Sequence, residues 1–132
     1  MSATSELLHE QLRQHAQMQP DKPAYIWYGT VMSFAELDRA SDAFAAHLQA
    51  LGIRQGEPVA LFMNNCPQYV IAHYGIQKMG GIVCPCGPLN KEHELEYQLK
   101  DMQARVIVAA SNLLPIVEKV RASSTLAFVF AV

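Results

Sequence analysis

At 132 residues, 51% apolar and 17% charged, the chain has the composition of one small globular domain, which excludes a disordered tail. Its net charge of −2, with Lys and Arg scattered singly, excludes the basic stripe that nucleic acid or an anionic membrane surface would need. The first twenty residues carry charges throughout, so no secretory h-region is present, and the apolar stretch 125–132 is far too short to span a bilayer. These features read as a soluble, cytoplasmic protein without a transmembrane segment.

In chain order, Ser5 opens an amphipathic segment with Leu8, Leu12 and Ala16 at helical spacing, closed by Pro20. Residues 24–28 form an aromatic-rich strand, Gly29 and Thr30 a tight turn, and Val31 and Met32 the return. Ser33 with Glu36 three residues on is a capping box. Behind it Leu37, Ala40, Phe44, Leu48 and Leu51 line one helix face, and Gly52 supplies the left-handed stop. Residues 58–63 are a short apolar strand. Pro67 opens a helix that runs to Met79, is apolar nearly all round and so largely buried, and is closed by Gly80 and Gly81.

The strand 82–84 comes next, followed by a turn at Pro85, Cys86, Gly87 and Pro88. Asn90 can cap a helix carrying Leu95, Leu99 and Met102 on one face, with Glu96 and Lys100 paired four apart on the other. Residues 105–109 form a β-branched strand, 111–121 a helix with Pro115 near its first turn, and 125–132 a last strand.

This alternation predicts an α/β fold: three layers, α/β/α, with a mainly parallel sheet, preceded by a helix and a small β-hairpin. Strands that are continuously apolar fit a sheet covered on both faces. The sequence closes on an apolar run, 126–132, without a polar tail, which suggests a cut made in a longer protein. Such a strand presents an unpaired edge, so concentration-dependent self-association is expected.

Chemistry is harder to find. The first strand–helix turn of the alternating region is Asn64-Asn65-Cys66-Pro67, without glycine, and neither common phosphate-loop pattern occurs. Cys66 sits at a helix amino end, where the dipole can activate a thiol, but no base or orienting partner accompanies it. Cys84 and Cys86 lack the redox or zinc spacing and, two apart on a strand, are poorly placed for a disulfide. The histidines His9, His15, His47, His73 and His93 never fall in a His-x-x-x-His or His-Glu-x-x-His pair, so no metal site and no catalytic residue is assigned. Trp27 and its aromatic neighbours read as hairpin packing.

Three blocks carry a resemblance. Met32-Ser33-Phe34-Ala35-Glu36-Leu37 is similar to the Leu-Thr-Tyr-x-Glu-Leu block of AMP-forming, adenylate-forming ligases. The run from Gly52 to Leu61 resembles their Gly-Val-x-x-Gly-Asp-x-Val-Ala-Ile block, with Asn64-Asn65-Cys66-Pro67-Gln68 standing for Asn-Ser-Pro-Glu. Gln77-Lys78-Met79-Gly80-Gly81-Ile82-Val83-Cys84-Pro85 resembles Leu-Lys-Ala-Gly-Ala-Val-x-Val-Pro. Residues 94–99 and 104–108 match the helix and strand that follow in that superfamily. Cys66, Gln68 and Met79 depart from the pattern conservatively.

The resemblance implies that residues 1–132 are the amino-terminal subdomain of the large domain of an acyl-CoA synthetase, closest in style to fatty-acyl-CoA ligases. The parent would use ATP, Mg2+ and CoA to convert a carboxylic acid to an acyl-adenylate and then to a thioester. The superfamily's Ser/Thr/Gly-rich phosphate loop, adenine-binding aromatic block, ribose-binding Asp and catalytic Lys have no counterpart by residue 132. The chain alone is therefore expected to be inactive, with the remainder of the parent chain as its partner. One ligand-facing feature is implied: the loop of Cys86, Gly87 and Pro88, near the CoA nucleotide, of which Gly87 alone matches the superfamily. The alternatives are a free-standing flavodoxin-like binding module without catalysis, and a truncated product that pairs with another subunit.

Overall fold

The computed structural model describes residues 7–132. Helix α1 (Leu8–Met18) is followed by an antiparallel hairpin of β1 (Pro23–Trp27) and β2 (Thr30–Ser33). Helix α2 (Phe34–Ala50) leads to β3 (Pro58–Phe62), α3 (Pro67–Lys78), β4 (Ile82–Cys86), α4 (Glu92–Met102) and β5 (Val106–Ala109). A 3-10 turn (Ser111–Leu113), α5 (Leu114–Arg121) and β6 (Phe128–Ala131) complete the chain. The predicted helix start at Ser5 lies outside the described residues.

Four strands form one parallel sheet in the order β4-β3-β5-β6. Helices cover both faces, as the three-layer expectation required. On one face α2 and α3 bury Leu48, Ala72 and Ile76 against Val59, Leu61, Val106 and Val108. On the other α4 and α5 bury Leu95, Leu99, Val117 and Val120 against Ala60, Phe62 and Ile107. Strand β3 is central: Val59, Ala60, Leu61 and Phe62 have no exposed surface. Each large side chain among them contributes roughly 2 kcal/mol by leaving water. The hairpin and α1 pack against α2. Among the described residues no helix is long and apolar enough to cross a membrane.

Local chemistry explains the element ends. The Ser33 hydroxyl accepts from the Glu36 amide at 3.1 Å, and the Glu36 carboxylate accepts from the Ser33 amide at 3.1 Å, the capping box read from sequence. Gly80 ends α3 with φ +80°, and Gly56 N–H donates to its carbonyl at 2.8 Å, which leads the chain onto β4 beside β3. Helices α1, α2 and α3 are tied by charge. The Lys78 ammonium, only 6% exposed, donates to Asp38 at 2.6 Å and Asp42 at 2.8 Å, and Arg13 joins Asp42 from α1.

Three details depart from the sequence expectation. Strand β4 does not stop at Cys84 but runs through Pro85 to Cys86, in register with Leu61 and Phe62 of β3. Proline is tolerated there because β4 is an edge strand. Asn90 does not cap α4: Lys91 holds that position, and the Asn90 amide donates instead to Gln98 Oε1 at 2.7 Å. The last strand begins at Phe128 rather than Thr125, because the Thr125 hydroxyl and Ala127 amide first bond the Ala104 and Arg105 carbonyls.

Candidate functional site

In an open parallel sheet, ligands gather at the carboxyl ends of the strands, where neighbouring connections diverge. Here β3 connects toward β4 and β5 toward β6, so the divergence lies between β3 and β5. There the β3–β5 ladder runs one rung past the paired residues, Ala110 N–H donating to the Phe62 carbonyl at 3.1 Å. The open space lies one strand away, beyond β3 and β4.

Two cavities share a wall there. One, of about 270 Å³, lies between the turn after β3 and the turn after β4, lined by Asn64, Asn65, Tyr69, Pro85, Gly87 and Pro88 among others. The other, of about 330 Å³, lies between the hairpin and α3, lined by Tyr25, Asn65, Cys66, Tyr69, Val70 and His73. Tyr69, in the first turn of α3, stands between them.

The segment singled out from sequence divides. Cys86 closes β4 and is 2% exposed, packed with Leu95, Leu99 and Ile107. Burial, reinforced by nearby Cys84, pushes its thiol up to about 11, so it stays protonated near neutral pH. Gly87 and Pro88 form the turn proper, with Asn90 N–H donating to the Gly87 carbonyl at 2.9 Å. A side chain at Gly87 would lie 3.1 Å from Asn90 Oδ1, and Asn90 is itself fixed by Gln98 of α4. The turn is therefore held rigidly, with the Gly87 backbone left uncovered by any side chain of its own.

Cys66 occupies the amino cap of α3 without a side-chain capping bond, and its Sγ lies 3.9 Å from Met63 Sδ. It shares a cavity with His73, whose half-buried ring is pushed toward the neutral form by burial. Gln77 Nε2 lies 3.4 Å from His73 Nδ1. Among the described residues no three His, Cys, Asp or Glu side chains gather closely enough to hold a metal ion. Sequence reasoning missed the pairing of Asn65 and Tyr69 as a shared wall, because both stood within segments read as turn and core. The signal was the position of Tyr69 in the first turn of α3, on a helix facing strand ends.

The family model of the AMP-binding enzyme matches residues 12–129. The chain belongs to the AMP-binding enzyme family. A long-chain-fatty-acid–CoA ligase of Bacillus subtilis is 45% identical over 96 residues, which cover 73% of this chain and 17% of the relative. The anthranilate CoA ligase AuaEII, solved with anthranoyl-AMP, superposes with a TM-score of 0.92 at 27% identity, covering the whole chain and 27% of that enzyme. The N-terminal domain of FACL13 from Mycobacterium tuberculosis gives a TM-score of 0.87 at 26% identity, over 94% of this chain and 33% of that one. This AMP-binding family chain thus spans under a fifth of the length of the curated relative.

Proposed function

We propose that the chain is the amino-terminal subdomain of an acyl-CoA synthetase of the fatty-acid class. The observation that carries this reading is the unbroken family match over residues 12–129, joined by 45% identity to a long-chain-fatty-acid–CoA ligase. The whole enzyme would join carboxylate and ATP to give acyl-adenylate and pyrophosphate, then pass the acyl group to the CoA thiol and release AMP. Adenylation is needed because a carboxylate is a poor electrophile until one oxygen belongs to a good leaving group. Mg2+, ATP and the groups that neutralise the phosphates would work with the remainder of the parent chain.

Within that enzyme the residues present here supply a scaffold and one wall. The Gly87–Pro88 turn at the 270 Å³ cavity is the wall assigned to CoA. Cys86 contributes through its backbone alone, since its thiol faces the core. Support for this role is the rigidity of the turn and the bare approach to the Gly87 backbone.

A chimera tests it, with residues 12–129 replacing the matching segment of the Bacillus subtilis ligase. The chimera is expected to form acyl-CoA. Gly87→Val in it is expected to raise the KM for CoA by up to about a hundredfold, the cost of misplacing a substrate by about an ångström, while pyrophosphate release from adenylation stays unchanged. An unchanged KM for CoA would remove the loop from the CoA site. A folded chimera without adenylation would overturn the family role.

A further inference from the structure

We infer that Asn90 and Gln98 are a positioning pair that sets the Gly87–Pro88 turn for CoA; the inference rests on the assignment of that turn to the CoA wall. Residues 87–90 form a β-turn with proline in its second position, closed by Asn90 N–H donating to the Gly87 carbonyl at 2.9 Å. Pro88 fixes one backbone angle, and that leaves the tilt of the turn to its two stems. Leu89 at the tip is 90% exposed, so it cannot anchor the turn.

Both stems are tied to α4. The first is Cys86, packed in the core with Leu95 and Leu99. The second is Asn90, whose Nδ2 donates to Gln98 Oε1 at 2.7 Å, eight residues along the chain. An Asn directly before a helix ordinarily spends its side chain as an amino cap. Here Lys91 takes that position without a side-chain capping bond, and α4 forgoes the cap while Asn90 reaches along the helix to Gln98. Gln98 lies one turn after Leu95 and directly before Leu99, and both leucines are fully buried, so the acceptor is mounted on a fixed part of α4.

The same bond sets the direction of the Asn90 amide. With Nδ2 committed to Gln98, Oδ1 faces Gly87, 3.1 Å from where a Cβ would stand. Glycine fits this approach without displacing Asn90. Gly87 and Pro88 line the cavity of about 270 Å³, whereas Asn90 and Gln98 stand outside its lining. The pair therefore acts through the turn and not by touching CoA.

Hydrogen-bond polarity gives the pair a signature. Gln98→Glu keeps an acceptor for Asn90 Nδ2, and Asn90→Asp keeps a partner for Gln98 once that amide turns Nε2 forward. The two substitutions together set acceptor against acceptor, and the bond is lost.

The chimera carrying residues 12–129 tests the inference, through the KM for CoA and hydrogen exchange at the Asn90 backbone N–H. Pyrophosphate release without CoA reports whether the fold is retained. Gln98→Ala is expected to raise the KM and to speed the exchange, each about tenfold, as for one lost hydrogen bond. Gln98→Glu and Asn90→Asp should each stay near the parent values, and the double variant should reproduce the loss at neutral pH. Lys100→Gln, which removes only the exposed pair with Glu96, should move neither readout. Unchanged exchange in Gln98→Ala would remove the tie to α4, and faster exchange with an unchanged KM would remove the pair from CoA positioning. Either result leaves the CoA assignment standing if Gly87→Val still raises the KM; an unmoved KM in Gly87→Val overturns that assignment and this inference together.

Discussion

Glu57 precedes β3, and its carboxylate receives two bonds from Arg105 ahead of β5, at 2.7 and 3.0 Å. Arg54 adds its backbone N–H at 3.0 Å. Hydrogen bonding from the Arg105 guanidinium outweighs the cost of burial and holds the carboxyl at about 2, against an ordinary 4.5. A group whose folded pKa is depressed stabilises the fold fully above its unfolded value. That contribution fades as pH falls from about 4.5 toward 2. Urea midpoints measured across this window should fall for the natural chain. For Glu57→Gln they should start lower and depend less on pH, and parallel curves for the two would detach Glu57 from the acid limb. Nothing in the spacing of Glu57 and Arg105, 48 residues apart, announced the pair; only the alignment of two parallel strands brings them together.

At the scale of elements, the crossing of α2 and α3 shows what periodicity can and cannot reveal. The apolar spacing behind Ser33 located α2, and the proline–glycine punctuation located α3. Neither told how closely the two would approach. Gly75 sets that distance: a methyl group there would lie 2.7 Å from Phe44 Cδ1 and 3.1 Å from the Ser41 carbonyl oxygen. Phe44 cannot simply swing away, since its ring packs on Phe130. Alanine normally gains up to about 1 kcal/mol over glycine in a helix interior. Overpacking of this kind typically costs about 1–3 kcal/mol, so Gly75→Ala should be destabilising by about 1 kcal/mol on balance. Chemical denaturation checks the sign, and a stabilised variant would mean that the helices have room to part. The turn at Pro85 misled sequence reading for the opposite reason, because proline marks turns in general but is also admissible on an edge strand, as β4 proves to be.

Across the whole molecule, the layered architecture was legible because each strand is continuously apolar and each helix is punctuated at its ends. The strand order was not, since no local feature tells whether β5 lies beside β3 or β4. The order β4-β3-β5-β6 is shared with the first four strands of free-standing flavodoxin-like modules, which bind ligands at the divergence of their central strands. Here the turn after β3 has no glycine to admit a phosphate. On the proposed reading the chain is a scaffold, and the nucleotide chemistry would belong to the remainder of a longer parent. Calorimetric titration of the purified chain with Mg·ATP tests that claim most directly. The account predicts no heat of binding, whereas stoichiometric, saturable binding would contradict it and make a self-contained nucleotide-binding module the better description.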